Sequence, residues 1–340
     1  MTLVAPGVRT EAVPGWRTGV SASFSLALGR PMLWLFGAIG FGARGGFLAL
    51  ALPIITIPSA SLMSVIFSGE ISTSGTTSQA IGLAVVAVVI SATIAIVMLL
   101  IAAYADVAAF EILAADPETT SVSGGFMARP VTRRERLDLV AGLAVVQALA
   151  LIPAIIAGLV LAEQVHSVIL EWSATQIGSL YDQILAESGG QILALAAMLI
   201  VADLIYATAS RAVMVARLGL ETEAGSGRHR RAVAIHGALR LVRRPFRSLS
   251  IALLGWIVTV VVLAPVVWAS SVAWSGLRTS LLTTGVPTAP ITNGGVVDAQ
   301  GLLATVVAIV IFAAIWVAAT ILAGFASAVR AALWSVDALR

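Results

Sequence analysis

The 340-residue chain contains no cysteine and no lysine, so all 20 of its basic residues are arginines. Without cysteine it has no disulfide, thiolate metal site or thiol nucleophile. Without lysine, a glycine-rich phosphate loop has no cation to reach a bound phosphate, and no such loop precedes a helix. Charge is scarce too, with 11% of residues charged against 59% apolar and a mean hydropathy of +1.02. That composition excludes an ordinary water-soluble globular chain. Three histidines are present, His166, His229 and His236. The topology derived below divides them across the bilayer, so they cannot supply the three close ligands of a zinc site. No nucleophile elbow appears either. No enzyme activity, cofactor or metal is expected.

What is present is a series of long apolar runs. Six reach the ~20 residues needed to cross ~30 Å of hydrocarbon: Pro31 to Ile57, Ala80 to Ala103, Leu137 to Ala162, Gln191 to Ser210, Leu249 to Ala273 and Gly301 to Ala328. Lipid offers the backbone no hydrogen-bond partners, and the short alternating segments of a membrane barrel are missing, so these are helices. The expected fold is all-α, a polytopic bundle of about six transmembrane helices. Residues 1–30 lack the pattern of a cleaved secretory signal and are expected to remain as a cytoplasmic segment with an interfacial helix. Residues 31–330 form the membrane domain and 331–340 a cytoplasmic tail.

Arginine placement sets the orientation, because positive charge gathers in cytoplasmic loops near span ends. Arg9, Arg17, Arg30, Arg129, Arg133, Arg134, Arg136, the series from Arg211 to Arg247, Arg330 and Arg340 fall on one side of six alternating crossings; Arg278 alone falls on the other. Both termini are therefore expected in the cytoplasm and the protein in the cell (inner) membrane. Trp34, Trp268, Trp274 and Trp334 sit near predicted span ends, as interfacial aromatics do, whereas Trp256 and Trp316 are placed inside. A pI near 10.1 invites a nucleic-acid reading, but no groove-reading or stacking module accompanies the charge. Nucleic acid is excluded as a partner; anionic membrane lipids at the cytoplasmic face and a membrane protein partner are the expected ones.

The chain also repeats itself. The inner ends of the even-numbered spans read Tyr104-Ala105-Asp106-Val107-Ala108-Ala109, Tyr206-Ala207-Thr208-Ala209-Ser210-Arg211 and Phe325-Ala326-Ser327-Ala328-Val329-Arg330. Upstream of odd-numbered spans, Arg30-Pro31 resembles Arg244-Pro245. The pattern reads as three helical hairpins, each led by a basic interfacial segment. Val20, Phe24, Ala27 and Leu28 have in-plane helical spacing, as do Val233, His236, Leu239 and Val242. Proline marks the turn into the membrane after each. Arg30, Arg243 and Arg244 are then candidates for lipid headgroups, each contributing ~1 kcal/mol near an anionic leaflet. Outside, Glu163 to Glu187 reads as an amphipathic helix that either caps the bundle or extends the third span. Ser59 to Gln79 and Thr279 to Gln300 read as irregular loops.

Charges inside spans are costly, roughly 2.5–3.5 kcal/mol at a helix centre, and are functional by default. Arg44 lies about 20 Å along the axis from Pro31, with Asp203 as its natural partner. Gln147 sits at a comparable depth and Asp106 nearer the cytoplasm. Tyr104, Asp106 and Glu111 with Arg129 form a weaker inner-face set. Ala38, Gly42 and Gly46 make a small-residue stripe that lets a neighbouring helix approach. Arg44 lies off that stripe, which makes the first span central.

Arg30-Pro31, Arg44-Gly45-Gly46, Tyr206-Ala207 to Arg211 and Arg243-Arg244-Pro245 resemble a broad group of uncharacterised bacterial polytopic membrane proteins. That group is similar to the membrane domain attached to some glycerophosphodiester phosphodiesterases. The resemblance implies architecture, not hydrolase activity, and carries over no catalytic residue. Two functions are expected from the residues: an accessory or scaffold component of a membrane complex, or a small-solute or ion transporter using a polar site near Arg44 and Asp203.

Overall fold

The computed structural model describes residues 16–51, 78–116, 119, 131–171, 180–218, 227–284 and 299–339, and all regular structure among them is helical. In chain order the elements are α1 (Trp16–Gly29), α2 (Pro31–Phe41), a π-helical turn (Gly42–Gly46), α3 (Phe47–Ala51), α4 (Ser78–Ala114), α5 (Arg133–Glu171), α6 (Leu180–Leu218), α7 (Gly227–Arg243), α8 (Pro245–Thr284) and α9 (Ala299–Ala338). Five of these helices are long and apolar enough to cross a membrane. A sixth crossing exists if α1 and the α2 segment, bent by 94° at their junction, count together. The protein is a multi-pass helical membrane protein.

Local chemistry explains where the helices begin. Pro31 occupies the first turn of α2, where its missing N–H costs no helical bond, and Arg30 before it is extended at φ −129°. At the start of α5 the Glu135 amide donates to Thr132 Oγ1, and the Thr132 amide donates to Glu135 Oε2 at 2.9 Å. This reciprocal pair satisfies two donors that the helix itself leaves open.

The helices pack as neighbouring hairpins, α5 on α6 and α8 on α9, with α2 between α9 and α4. α2 and α9 cross closely at Gly37 and Gly324. A Cβ on Gly37 would lie 2.3 Å from the Gly324 carbonyl oxygen, and one on Gly324 would lie 2.4 Å from that of Trp34. In lipid there is no hydrophobic drive between helices, so such contact surfaces come from small residues. The expected stripe Ala38, Gly42, Gly46 is thereby corrected. Ala38 does meet Gly324, but Gly42 faces nothing within 4 Å and Gly46 is covered by the Phe41 ring of its own turn. The π turn rotates the helix face, so four-residue spacing does not survive past Phe41.

The largest apolar cores lie toward one end of the bundle, where α1, the start of α2, the ends of α4 and α6, the start of α8 and the end of α9 converge. Ion pairs Arg30–Asp116, Arg136–Glu111 and Arg247–Asp337 tie helix ends together there. Farther along, α4, α8 and α9 expose Val86, Ile94, Val260 and Val310, as lipid-facing surfaces do.

Several other expectations change. α1 packs in the bundle through Ala22, Ser23, Leu26 and Ala27, with Val20 and Phe24 partly buried against the same core; of the expected face only Leu28 is exposed. Residues 331–338 continue α9 as helix, and Trp334 is buried in the core against other helices. The segment 163–187 is divided between the end of α5 and the start of α6, both continuous with their spans; residues 172–179 lie outside the described residues. Most of the two remaining outer loops lies outside them too, though residues 78–79, 279–284 and 299–300 belong to helices.

Candidate functional site

The site begins with the break in the first span. The turn Gly42–Gly46 carries one extra residue relative to an α-helical turn, and Gly45 has φ +85°. A side chain there would strain the backbone, so glycine is required. Turns of this kind concentrate at functional positions because they redirect a side chain out of register. Here the redirected residue is Arg44.

Arg44 does not meet Asp203. Its Nη2 donates to Asp106 Oδ2 on α4, and its guanidinium carbon lies 5.4 Å from the centroid of the Tyr206 ring on α6. Tyr206 in turn donates its hydroxyl to the same Asp106 oxygen at 2.7 Å. The other carboxylate oxygen, Oδ1, has Arg211 Nη2 at 3.6 Å, an electrostatic neighbour beyond good hydrogen-bond reach. Asp106 is thus surrounded by two guanidinium groups and a phenol, the arrangement a carboxylate needs to stay charged away from water. Asp203 pairs instead with Arg330 of α9. The aliphatic stem of Arg330 rests on Gly255 of α8, with Cγ at 3.3 Å from where a Cβ would stand.

These groups share one space. A cavity of about 640 Å³ is lined by Arg44, Asp106, Gln147, Asp203, Arg211 and Arg330. Apolar side chains such as Phe36, Leu151 and Leu199 complete its wall. Several lining residues keep buried polar atoms without a hydrogen-bond partner among the described residues: Gln147 Oε1, Arg211 Nε and Nη1, and Nε1 of Trp334. Buried polar atoms are rarely left so, and each marks a place for a further partner. No cluster of potential metal ligands is found among the described residues.

All four intramembrane residues singled out in the sequence, Arg44, Asp106, Gln147 and Asp203, therefore line one cavity, but in pairs different from the expected one. Asp203 lies one helical turn before Tyr206 on α6, where α9 brings Arg330 to it. Arg211 and Arg330 were expected only as loop charges that set orientation. Both lie within helices that continue past them, to Leu218 and Ala338. Their shared sixth position in the aligned Tyr-Ala and Phe-Ala segments is the one sequence signal that sets them apart.

The headgroup candidates are elsewhere. Arg30 bonds Asp116 through Nε at 2.9 Å, Arg243 lies 3.3 Å from His236 Nε2, and Arg243 and Arg244 are exposed. The weaker inner-face set does not assemble: Tyr104 is exposed, Glu111 bonds Arg136 at 2.8 Å, and Arg129 lies outside the described residues. Comparison with protein-family models, curated proteins and solved structures finds no match to this chain.

Proposed function

We propose that this integral membrane protein takes a small solute or ion into the polar cavity of its bundle, acting as a transporter. One observation carries the reading: Arg44–Asp106 and Arg330–Asp203, with Gln147 and Arg211, border a space of about 640 Å³, where a purely structural ion pair would be packed shut. Intramembrane ionisable residues facing a cavity mark solute and ion paths in general. The hairpin repeats run in the same orientation, as in parallel-repeat transporters. The arginine-rich end of the bundle faces the cytoplasm of a bacterial-type inner membrane, with exposed Arg243 and Arg244 against anionic lipid. The resemblance of its arginine motifs to the membrane domain attached to some glycerophosphodiester phosphodiesterases supports this architecture only, and no hydrolase activity is proposed from it.

The accessory or scaffold role draws on the same exposed arginines, but it leaves the cavity and its unsatisfied polar atoms without a purpose. The test is uptake into proteoliposomes of a panel of small anions, cations and neutral solutes. At least one solute should enter faster than into protein-free liposomes, and Arg330→Gln should slow it. If none enters, while a stoichiometric protein partner co-purifies from native membranes, the scaffold role replaces this one.

A further inference from the structure

Resting on that reading, we infer that the cavity's ligand carries an oxyanion, a carboxylate or phosphate group, recognised by Arg211. Three guanidinium groups and two carboxylates line the cavity, Arg44, Arg211 and Arg330 against Asp106 and Asp203, leaving one positive charge in excess. The excess is located. Arg44 and Arg330 each donate to a carboxylate, whereas Arg211 stands 3.6 Å from an Asp106 whose other oxygen already receives Arg44 and Tyr206.

Arg211 is only 5% exposed, and its Nε and Nη1 find no acceptor among the described residues. A buried guanidinium with two unpartnered nitrogens and only a long ion pair to a shared carboxylate is costly in a low-dielectric surround, and a bound oxyanion supplies further charge and the lone pairs it lacks. Trp334, which lines the cavity from another helix, has a buried indole N–H unpartnered among the described residues and adds a neutral donor. Donors therefore predominate among the unsatisfied atoms. A cation would find both carboxylates already engaged; a neutral solute would leave the excess charge in place. Gln147, whose Oε1 is unsatisfied, suits a hydroxyl or amine on the same ligand.

The oxyanion has two sources, a soluble solute or a phospholipid headgroup, and the test separates them. The full chain is placed in nanodiscs of phosphatidylcholine in chloride buffer at fixed ionic strength and titrated with inorganic phosphate or with benzoate. In parallel, protein from vesicles of phosphatidylglycerol and phosphatidylcholine is analysed by native mass spectrometry. Saturable binding of phosphate or benzoate assigns a soluble ligand; selective retention of phosphatidylglycerol assigns a headgroup.

Whichever probe binds, Arg211→Gln should weaken it about tenfold or more, the loss expected for a charge-assisted hydrogen bond. Arg278→Gln at the far end of α8 should leave it unchanged. Arg211→Lys keeps the charge beside Asp106, so it should fold with the parent melting temperature yet bind several-fold more weakly. A merely structural Arg211 predicts parental binding in that variant, which would overturn the assignment. Failure of all three probes while a neutral or cationic solute crosses proteoliposomes overturns the oxyanion but keeps the transport reading. No binding and no uptake overturns both.

Discussion

Asp106 receives Arg44, Tyr206 and the nearby Arg211, whereas Asp203 is hydrogen-bonded by Arg330, with Arg44 a more distant charge, and is more exposed, at 28% of its side chain against 8% for Asp106. Removing one partner from a buried ion pair strands the other. Asp106→Asn leaves Arg44 facing a neutral amide and is expected to cost about 3–5 kcal/mol. Asp203→Asn should cost distinctly less, because its pair is less buried. Thermal unfolding in one detergent compares them, and an equal or larger loss for Asp203→Asn would contradict the hierarchy. The double substitution Asp106→Asn with Arg44→Gln should recover part of the loss. Legibility at this scale is uneven. Arg44, Asp106, Gln147 and Asp203 stand out because each interrupts an apolar run. Arg211 and Arg330 close such runs, where composition alone does not tell a cavity arginine from a topology-setting one. Pairing was not legible at all, because matching residues by depth ignores the side-chain rotation that the π turn imposes on Arg44.

Among the elements, the first span has the most demanding geometry. Gly324→Ala and Gly37→Ala each place a methyl against a backbone carbonyl at 2.4 and 2.3 Å, which only separation of α2 from α9 relieves. Overpacking of this kind costs about 1–3 kcal/mol. Gly42→Ala meets nothing within 4 Å and should be close to neutral. Melting temperatures of the three variants, measured side by side, check this order; a destabilising Gly42→Ala would restore the stripe read from the sequence. Gly45→Ala forces a Cβ into left-handed backbone at a cost of about 1–2 kcal/mol. It should also displace Arg44, so solute uptake should fall more than stability does. Spans were readable from length and apolarity, and the corner at Arg30-Pro31 from proline's backbone limits. Helix ends were not, because apolar stretches such as Ala212 to Ala216 continue a helix as readily in a membrane interface as within it.

For the molecule as a whole, the C-terminal halves of α4, α6 and α9 surround one cavity, with α2 and α5 completing its wall. Asp106, Arg211 and Arg330, all within the three aligned hexapeptides, come from different hairpins, so no single hairpin contains the site. Its central claim is that this space admits water and solute. The chain has no cysteine, so single substitutions report without a background. The decisive measurement is labelling of Ala148→Cys and Ser327→Cys, which line the cavity, and of Ile94→Cys and Val310→Cys, which face outward from the bundle. A membrane-impermeant thiol reagent is added from each side of the membrane in turn. The cavity positions should label from the arginine-rich side and the outward-facing positions from neither. Cavity positions that resist the reagent as fully as Ile94→Cys would mean a dry, static ion-pair network and would contradict the account.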